Sequence, residues 1–451
     1  MALLTTDKAR SFLAVNLVRG RAGIVRGRAR IADRANSAPG RLTIFMAALA
    51  ALGCLTGLAG VVGSAQRSDL IDAVANRSGP LAVQAQQLYR SLSDADATAA
   101  AAFLSSGSEP VALRERYQAD IAAASASLAA LSVTSERERG PVTEIAMSLP
   151  VYTGLVETAR SYNRLNLPVG SAYLREASGL MRERLLPAAK ALYEIEIGNL
   201  ANDRGGAASF PWLTLPLIML TLAGLVATQV YLVRRTRRLV NVGLAAATAA
   251  GVVLLLWVGL SWVGVAAQLS ASDREGSAQV ELIAGARVAA LQARAGEALT
   301  LVARGSGAAF EEQFTANMTA LAGTDGRGGR LAEARRRATD PAVVNALGAA
   351  TAAVSDWRAV HRQVRERDDG GQYPEAVTLA VGDDPAGAAN AFNRVDGQLS
   401  AAIAAASRTF TERADAAGGA LAASGVGWAL LTLVLLTGLV LGLQQRIAEY
   451  R

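Results

Sequence analysis

Long uncharged runs alternate with polar ones along this chain, and the alternation predicts its elements. Leu42 to Ala65, Phe210 to Val233, Leu239 to Ala267 and Gly425 to Leu443 contain no Asp, Glu, Lys or Arg. Each is about 20 residues or longer, enough for a helix to cross the ~30 Å hydrocarbon core of a bilayer. No water is available there for backbone N–H and C=O groups, so each run is predicted to be a helix that closes its own hydrogen bonds. Trp212, Trp257, Trp262 and Trp428 lie in or beside these runs, where an interfacial aromatic belt places such rings.

The two polar segments, 66–209 and 268–424, carry apolar residues at steps of three and four. Leu174, Ala177, Met181, Leu185, Ala188, Leu192 and Ile195 form one such stripe, and Phe392, Val395, Leu399 and Ile403 another. Breakers at SSGSEP (Ser105 to Pro110), VTSERERGP (Val133 to Pro141) and NLPVG (Asn166 to Gly170) cut the first segment into four helices. RGSG (Arg304 to Gly307), GTDGRGG (Gly323 to Gly329) and RDDGGQYP (Arg367 to Pro374) do the same in the second. Helices with one apolar stripe each bury it as a bundle. The expected fold is an all-α integral membrane protein with four transmembrane helices and two extracytoplasmic antiparallel four-helix bundles in tandem, an internal duplication of span, bundle and span.

Composition supports membrane residence, with 51% hydrophobic and 18% charged residues. Charge then sets the orientation. Residues 1–41 carry a net +7, the turn 234–238 a net +4 and the tail 444–451 a net +1, whereas 66–209 and 268–424 are slightly acidic. Short cytoplasmic segments collect Lys and Arg. The expectation is therefore a plasma-membrane protein with a cytoplasmic basic arm (1–41), spans at 42–65, 210–233, 239–267 and 425–443, a cytoplasmic Arg hinge (234–238) and a cytoplasmic tail (444–451). The isoelectric point near 9.9 is on this reading a topology signal, and nucleic acid is not an expected partner. The first span follows 41 residues and is longer than a signal-peptide core, which points to an uncleaved anchor.

Catalytic chemistry finds little foothold. The single histidine, His361 in DWRAVHRQVRERDD, is expected to be solvated or capping, and one histidine builds neither a triad nor a zinc site. Cys54, the single cysteine, is expected to be a small buried hydrophobe in mid-span. The pairs Glu311 and Glu312, Asp368 and Asp369, and Asp383 and Asp384 are expected at loops or helix starts as caps. The spans hold no ionisable side chain, which argues against ion-coupled transport. The inner segments are too short for a catalytic domain, so no enzyme, cofactor or metal is expected. The remaining chemistry is basic. Arg19, Arg21, Arg26, Arg28, Arg30 and Arg34 alternate with apolar residues in the arm, and Arg234, Arg235, Arg237 and Arg238 fill the hinge. Both suit the anionic inner leaflet of the lipid bilayer or docking of a cytoplasmic partner.

A span, an outward bundle and a second span make up the receiving half of a chemoreceptor, and this chain carries two such halves without the signalling rod. Its basic arm, paired units, Arg-rich inner turn and Ala- and Arg-rich composition, with only Lys8 and Lys190 as lysines, resemble the actinobacterial GlnX family. That resemblance implies a membrane signalling protein. It would relay amino-acid availability, sensed outside by a solute-binding lipoprotein of the GlnH kind, to a cytoplasmic Ser/Thr kinase of the PknG kind. The alternatives are a receptor whose bundles bind a small acidic ligand directly, through arginines such as Arg90, Arg160 or Arg294, and a membrane scaffold with no sensing role. A homo-oligomer is compatible with all three.

Overall fold

The computed structural model describes residues 38–105, 109–132, 138–236, 241–271, 278–421 and 424–448, and every regular element among them is helical. In chain order these are α1 (Ala38–Ala73), α2 (Gly79–Leu104), α3 (Val111–Leu131), α4 (Arg139–Arg164), α5 (Val169–Leu180), α6 (Leu186–Ala208), α7 (Thr214–Thr236) and α8 (Val242–Ala271). They continue as α9 (Ala278–Val302), α10 (Ala308–Ala322), α11 (Gly329–Arg337), α12 (Pro341–Asp369), α13 (Tyr373–Val381), α14 (Ala388–Leu421) and α15 (Ser424–Ala448). Single π-helical turns, Val74–Ser78 and Met181–Leu185, join α1 to α2 and α5 to α6. Pro80 and Pro187 follow these turns two residues on. A proline cannot donate to the carbonyl one helical turn behind it, and a widened turn accommodates the missing bond.

The chain divides into two compact units. One comprises Met1–Ser68, Phe210–Gly264 and Ala420–Arg451, and the other Asp69–Ser209 and Val265–Gly419.

Four helices among the described residues are long and apolar enough to cross a membrane, and they carry the four uncharged runs. In the apolar unit Leu42, Leu49, Leu225, Leu232, Leu244, Leu435, Leu439 and Leu443 bury one another at the centre. Lipid supplies no hydrophobic drive between helices, so close approach of small residues and side-chain hydrogen bonds hold them together. Gly438 and Gly442 of α15 lie against Gly243 of α8, where a Cβ on Gly243 would stand 2.6 Å from the Gly442 Cα. Asn241 joins the same crossing: its Nδ2 donates to the Gly442 carbonyl at 2.7 Å, and its Oδ1 accepts from the N–H of Gly243 at 3.1 Å, capping α8. Thr56 of α1 and Thr221 of α7 pair their hydroxyls at 2.9 Å. Phe210 packs edge-on against Trp212 at 4.8 Å and Trp262 at 5.2 Å, an aromatic cluster beside the ends of α7 and α8. Phe210 itself lies before α7, which starts at Thr214, past Pro211. Cys54 corrects its expectation, because it is exposed on α1 instead of buried.

The polar unit also departs from expectation. The two segments pack into one body instead of two separate bundles. A single core joins Leu88, Leu92, Tyr152, Met181 and Leu192 of the first segment to Leu299, Val302, Val364 and Ala376 of the second. A further core, around the fully buried Trp357, belongs to the second segment alone. The cause lies in α2 and α9. Ser91 to Ala102 are buried without interruption, and so are Ala293 to Ala303, so both helices are covered on every side. A helix covered all round must sit at the centre of a body, and small Ala, Ser and Thr side chains let its neighbours come close. The first segment forms its four helices with a π-turn inside the last, while the second has two more than expected. The short helices α11 and α13 grow out of the GTDGRGG and RDDGGQYP breaks. Leu331 and Ala334, and likewise Ala376 and Ala380, bury one face of each. Gly329 is required where α11 starts: its φ is +64° and an added Cβ would stand 2.7 Å from the Ala322 backbone N.

Candidate functional site

Buried charge marks the interior of the polar unit, and it is organised around α2 and α9. Besides Asp94, the buried C-terminal half of α2 places Asp96 in the interior, and that of α9 places Glu297 there. Asp96 and Glu297 each take a hydrogen bond from an aromatic residue on the long helix of their own segment. Tyr152 of α4 donates its hydroxyl to Asp96 Oδ1 at 3.4 Å, and Trp357 of α12 donates Nε1–H to Glu297 Oε1 at 3.2 Å. Each of these two helices also carries a buried cationic side chain. Arg160 of α4 lies 4.2 Å over the Tyr117 ring and pairs with Glu109 at 3.0 Å and with Glu157. In the second segment His361 of α12 stacks on Phe314 with ring centres 3.5 Å apart and bonds to Glu297 and Glu311, each at 2.9 Å. The two cations differ in their reach, since Arg160 pairs with carboxylates away from Asp96, whereas His361 bonds the central Glu297 itself.

His361 is therefore buried between two carboxylates, against the expectation of a solvated or capping side chain. Burial alone would push its pKa down. The hydrogen bonds to Glu297 and Glu311 outweigh that and carry it up to about 9, so the ring is an imidazolium at neutral pH. For Glu297 burial works upward, but the His361 bond and the Arg294 charge hold it below the usual carboxylate range.

A second ionic cluster ties the segments together. Arg116 of α3 donates to Asp94 of α2 at 2.8 Å and reaches Asp396 of α14 at 3.4 Å. Arg287 of α9 grips the same Asp396 through two bonds, at 2.6 and 3.0 Å. Burial pushes Asp94 up, against the opposing pull of Arg116. Asp120 of α3, buried beside this cluster, is pushed up to about 7, by burial first and then by the charge of Asp94. Such pairs leave a costly uncompensated charge if one partner is removed, so they fix how the segments meet.

Between the segments opens a cleft of about 450 Å³, with walls from α2 and α6 on one side and α9 and α10 on the other. Asp96, Arg182, Lys190, Gln292 and Gln313 line it. Arg182, in the π-turn before α6, lies 5.1 Å over the Phe310 ring and donates to Gln313 Oε1 at 3.2 Å. A larger, open groove of about 1080 Å³ in the second segment is lined by Glu311, Glu312, Asp368, Asp369 and Arg365. Arg365 pairs with Asp368 and Asp369 at 2.6 Å each, so these carboxylates serve an internal ion-pair cluster more than helix caps. Asp384 accepts the Ala386 N–H at 2.9 Å in the turn ahead of α14, so it shapes that turn and does not cap the helix.

The basic residues singled out by sequence fall mostly elsewhere. Arg234 is exposed near the end of α7, and Arg235 lies on the same helix. Arg237 and Arg238, with Arg19, Arg21, Arg26, Arg28, Arg30 and Arg34, lie outside the described residues. Arg90, Arg160 and Arg294 are committed to internal carboxylates, Asp94, Glu109 with Glu157, and Glu297 respectively, so none stands free to take an acidic ligand. Asp96, Arg182 and Glu297 were not singled out. The signal for Asp96 and Glu297 is a carboxylate inside an otherwise small and apolar helical run, SLSDADATAAAAF and RAGEALTLV.

No curated protein and no solved structure matches the chain. Residues 70–205, the stretch that carries α2 to α6, match the family described as an actinobacterial sensor domain, which supports a sensing role in an actinobacterial setting.

Proposed function

We propose that this chain is a transmembrane signal transducer whose polar unit lies outside the cell and receives the signal. The observation that carries this is the joining of a segment that matches a sensor domain, through the ionic cluster of Asp94, Arg116, Asp396 and Arg287, to a second helical segment in a chain with four membrane-length helices. Packed interiors deform little and switch between discrete arrangements, so an event at one segment shifts the other as a body. The positive charge of the arm, hinge and tail supports placing them in the cytoplasm. Resemblance to the GlnX family adds the finer reading: external amino-acid status arrives through a solute-binding lipoprotein, and the arm and Arg hinge hand it to a Ser/Thr kinase.

Co-purification of the full chain from its host in mild detergent tests this hand-over. A Ser/Thr kinase is expected with the intact chain. It is expected to be lost when Arg234, Arg235, Arg237 and Arg238 are all replaced by Gln in a chain that keeps its topology. A kinase recovered equally with both chains would remove the hinge from the path, and no kinase at all would contradict the relay. A second reading, direct solute binding by the polar unit, is favoured by the mixed-charge cleft between the segments.

A further inference from the structure

We infer that the cleft between α2, α6, α9 and α10 binds a small zwitterion, a molecule that carries an ammonium and a carboxylate a few bonds apart. The inference rests on reading the chain as a sensor and assigns that sensor its own ligand site.

The charges of the cleft select this class. Asp96 is buried, and among the described residues both hydrogen bonds it accepts, from Ser178 at 2.8 Å and Tyr152 at 3.4 Å, fall on Oδ1. Oδ2 is left to meet a donor from the cleft. Burial pushes the Asp96 carboxyl up, and Arg182, in the same cleft, pulls it back down through its charge. Among the described residues this guanidinium meets no carboxylate in an ion pair, and its one hydrogen bond goes to the neutral Gln313. It therefore keeps N–H groups for an anion, in the fork geometry that suits a carboxylate. Lys190, on α6, adds a second, more exposed positive charge, which pairs with Glu194 at 3.5 Å.

A simple anion would satisfy Arg182 but bring negative charge toward the buried Asp96. A simple cation would satisfy Asp96 and face Arg182 and Lys190. A zwitterion with its ammonium toward Asp96 and its carboxylate toward Arg182 satisfies both ends. Gln292 and Gln313 then remain for whatever the molecule carries beside them. The volume of about 450 Å³ lies in the range of small-molecule sites and suits an amino acid better than a peptide.

Position gives binding a consequence. Asp96, Arg182 and Lys190 come from the first segment, while Gln292 and Gln313 come from the second. A ligand held by both is bound best in one relative setting of the segments, and it shifts their equilibrium by its difference in affinity between settings. Arg182 is placed by the π-turn ahead of Pro187, a local widening that turns of this kind provide at binding sites.

Isothermal titration calorimetry on the full chain in lipid nanodiscs, with each of the twenty proteinogenic L-amino acids and with acetate and methylammonium as half-ligands, tests the assignment. At least one amino acid is expected to bind at one site per chain. Arg182→Gln and Asp96→Asn are each expected to weaken it tenfold or more, Lys190→Gln by less, and the half-ligands are expected not to bind at the same concentrations. Thermal melting reports whether each variant is folded. If Asp96→Asn is not, the half-buried Arg182 and exposed Lys190 decide. Absence of binding by all twenty, binding untouched by Arg182→Gln, or equal binding of acetate alone would overturn the assignment. Such a result would leave the transducer reading standing, because kinase co-purification reads that independently.

Discussion

His361 holds the most consequential single charge of the second segment. Its imidazolium bridges Glu297 and Glu311 with Phe314 stacked on one face, so its positive charge is part of the fold. Its folded pKa, about 9, lies above the ordinary 6.5. The stabilisation is thus fully present below about pH 6.5 and is lost as pH rises through about 9, an effect on the order of 3 kcal/mol for the shift involved. Asp120 is pushed up to about 7 and burial also raises Asp94, Asp96 and Glu196, so over the interval from pH 7 to 9 it is the comparison with His361→Gln that isolates the histidine. Denaturant unfolding of the full chain in nanodiscs should lose stability across that interval, and His361→Gln should flatten the slope. Stability independent of pH from 7 to 9 in the native chain would refute the charged bridge. This residue also shows where sequence reasoning stopped. The string DWRAVHRQVRERDD is rich in charge and reads as a solvated face, and nothing in it reveals that Glu297 and Glu311, from two other helices, converge on one side of α12. Pairing across helices is a property of packing, and a local pattern does not carry it.

At the scale of elements, helix positions were legible and partnerships were not. The breakers fall where helices end, because clustered Gly, with positive φ at several positions, and Pro interrupt the helical ladder, although α4 runs on through the single Pro150. The central place of α2 and α9 was hidden for the opposite reason: SLSDADATAAAAF holds Asp, Ser and Thr, which a hydrophobicity pattern scores as exposed. These helices are covered all round because Arg116, Ser178 and Tyr152 supply partners for the carboxylates. Arg116→Met should therefore leave Asp94 buried without its principal counter-charge and cost about 3 to 5 kcal/mol of unfolding free energy, read by denaturant titration. A loss below about 1 kcal/mol, the worth of an exposed pair, would place this cluster at the surface. In the apolar unit the α8 and α15 crossing is set by Gly243, Gly438 and Gly442 at touching backbones, whereas a Cβ at Gly259 would meet nothing within 4 Å. Gly442→Leu should force the crossing open at a cost of about 1 to 3 kcal/mol, while Gly259→Ala should be neutral, as steric-trapping measurements in bicelles would show. Equal effects of the two would contradict the crossing.

For the whole molecule, the uncharged runs announced membrane-length helices because length and absence of charge are all that the bilayer requires. The repeated layout of span, polar segment and span leads to the expectation of two bundles, and the structure instead joins both polar segments in one body with unequal sets of helices. The two segments meet through their most buried helices, α2 and α9, in one shared core. The sensor-domain match covers residues 70–205 of the first segment, and the shared interior packs the second segment against it. The account's central claim is that this body governs an output on the far side of the membrane. Phosphorylation of Ser/Thr-kinase substrates in the native host, followed after a shift in external amino acid, tests it most directly. The response should be present with the intact chain, absent when the chain is deleted and restored by its return, and a response unchanged by deletion would contradict the account.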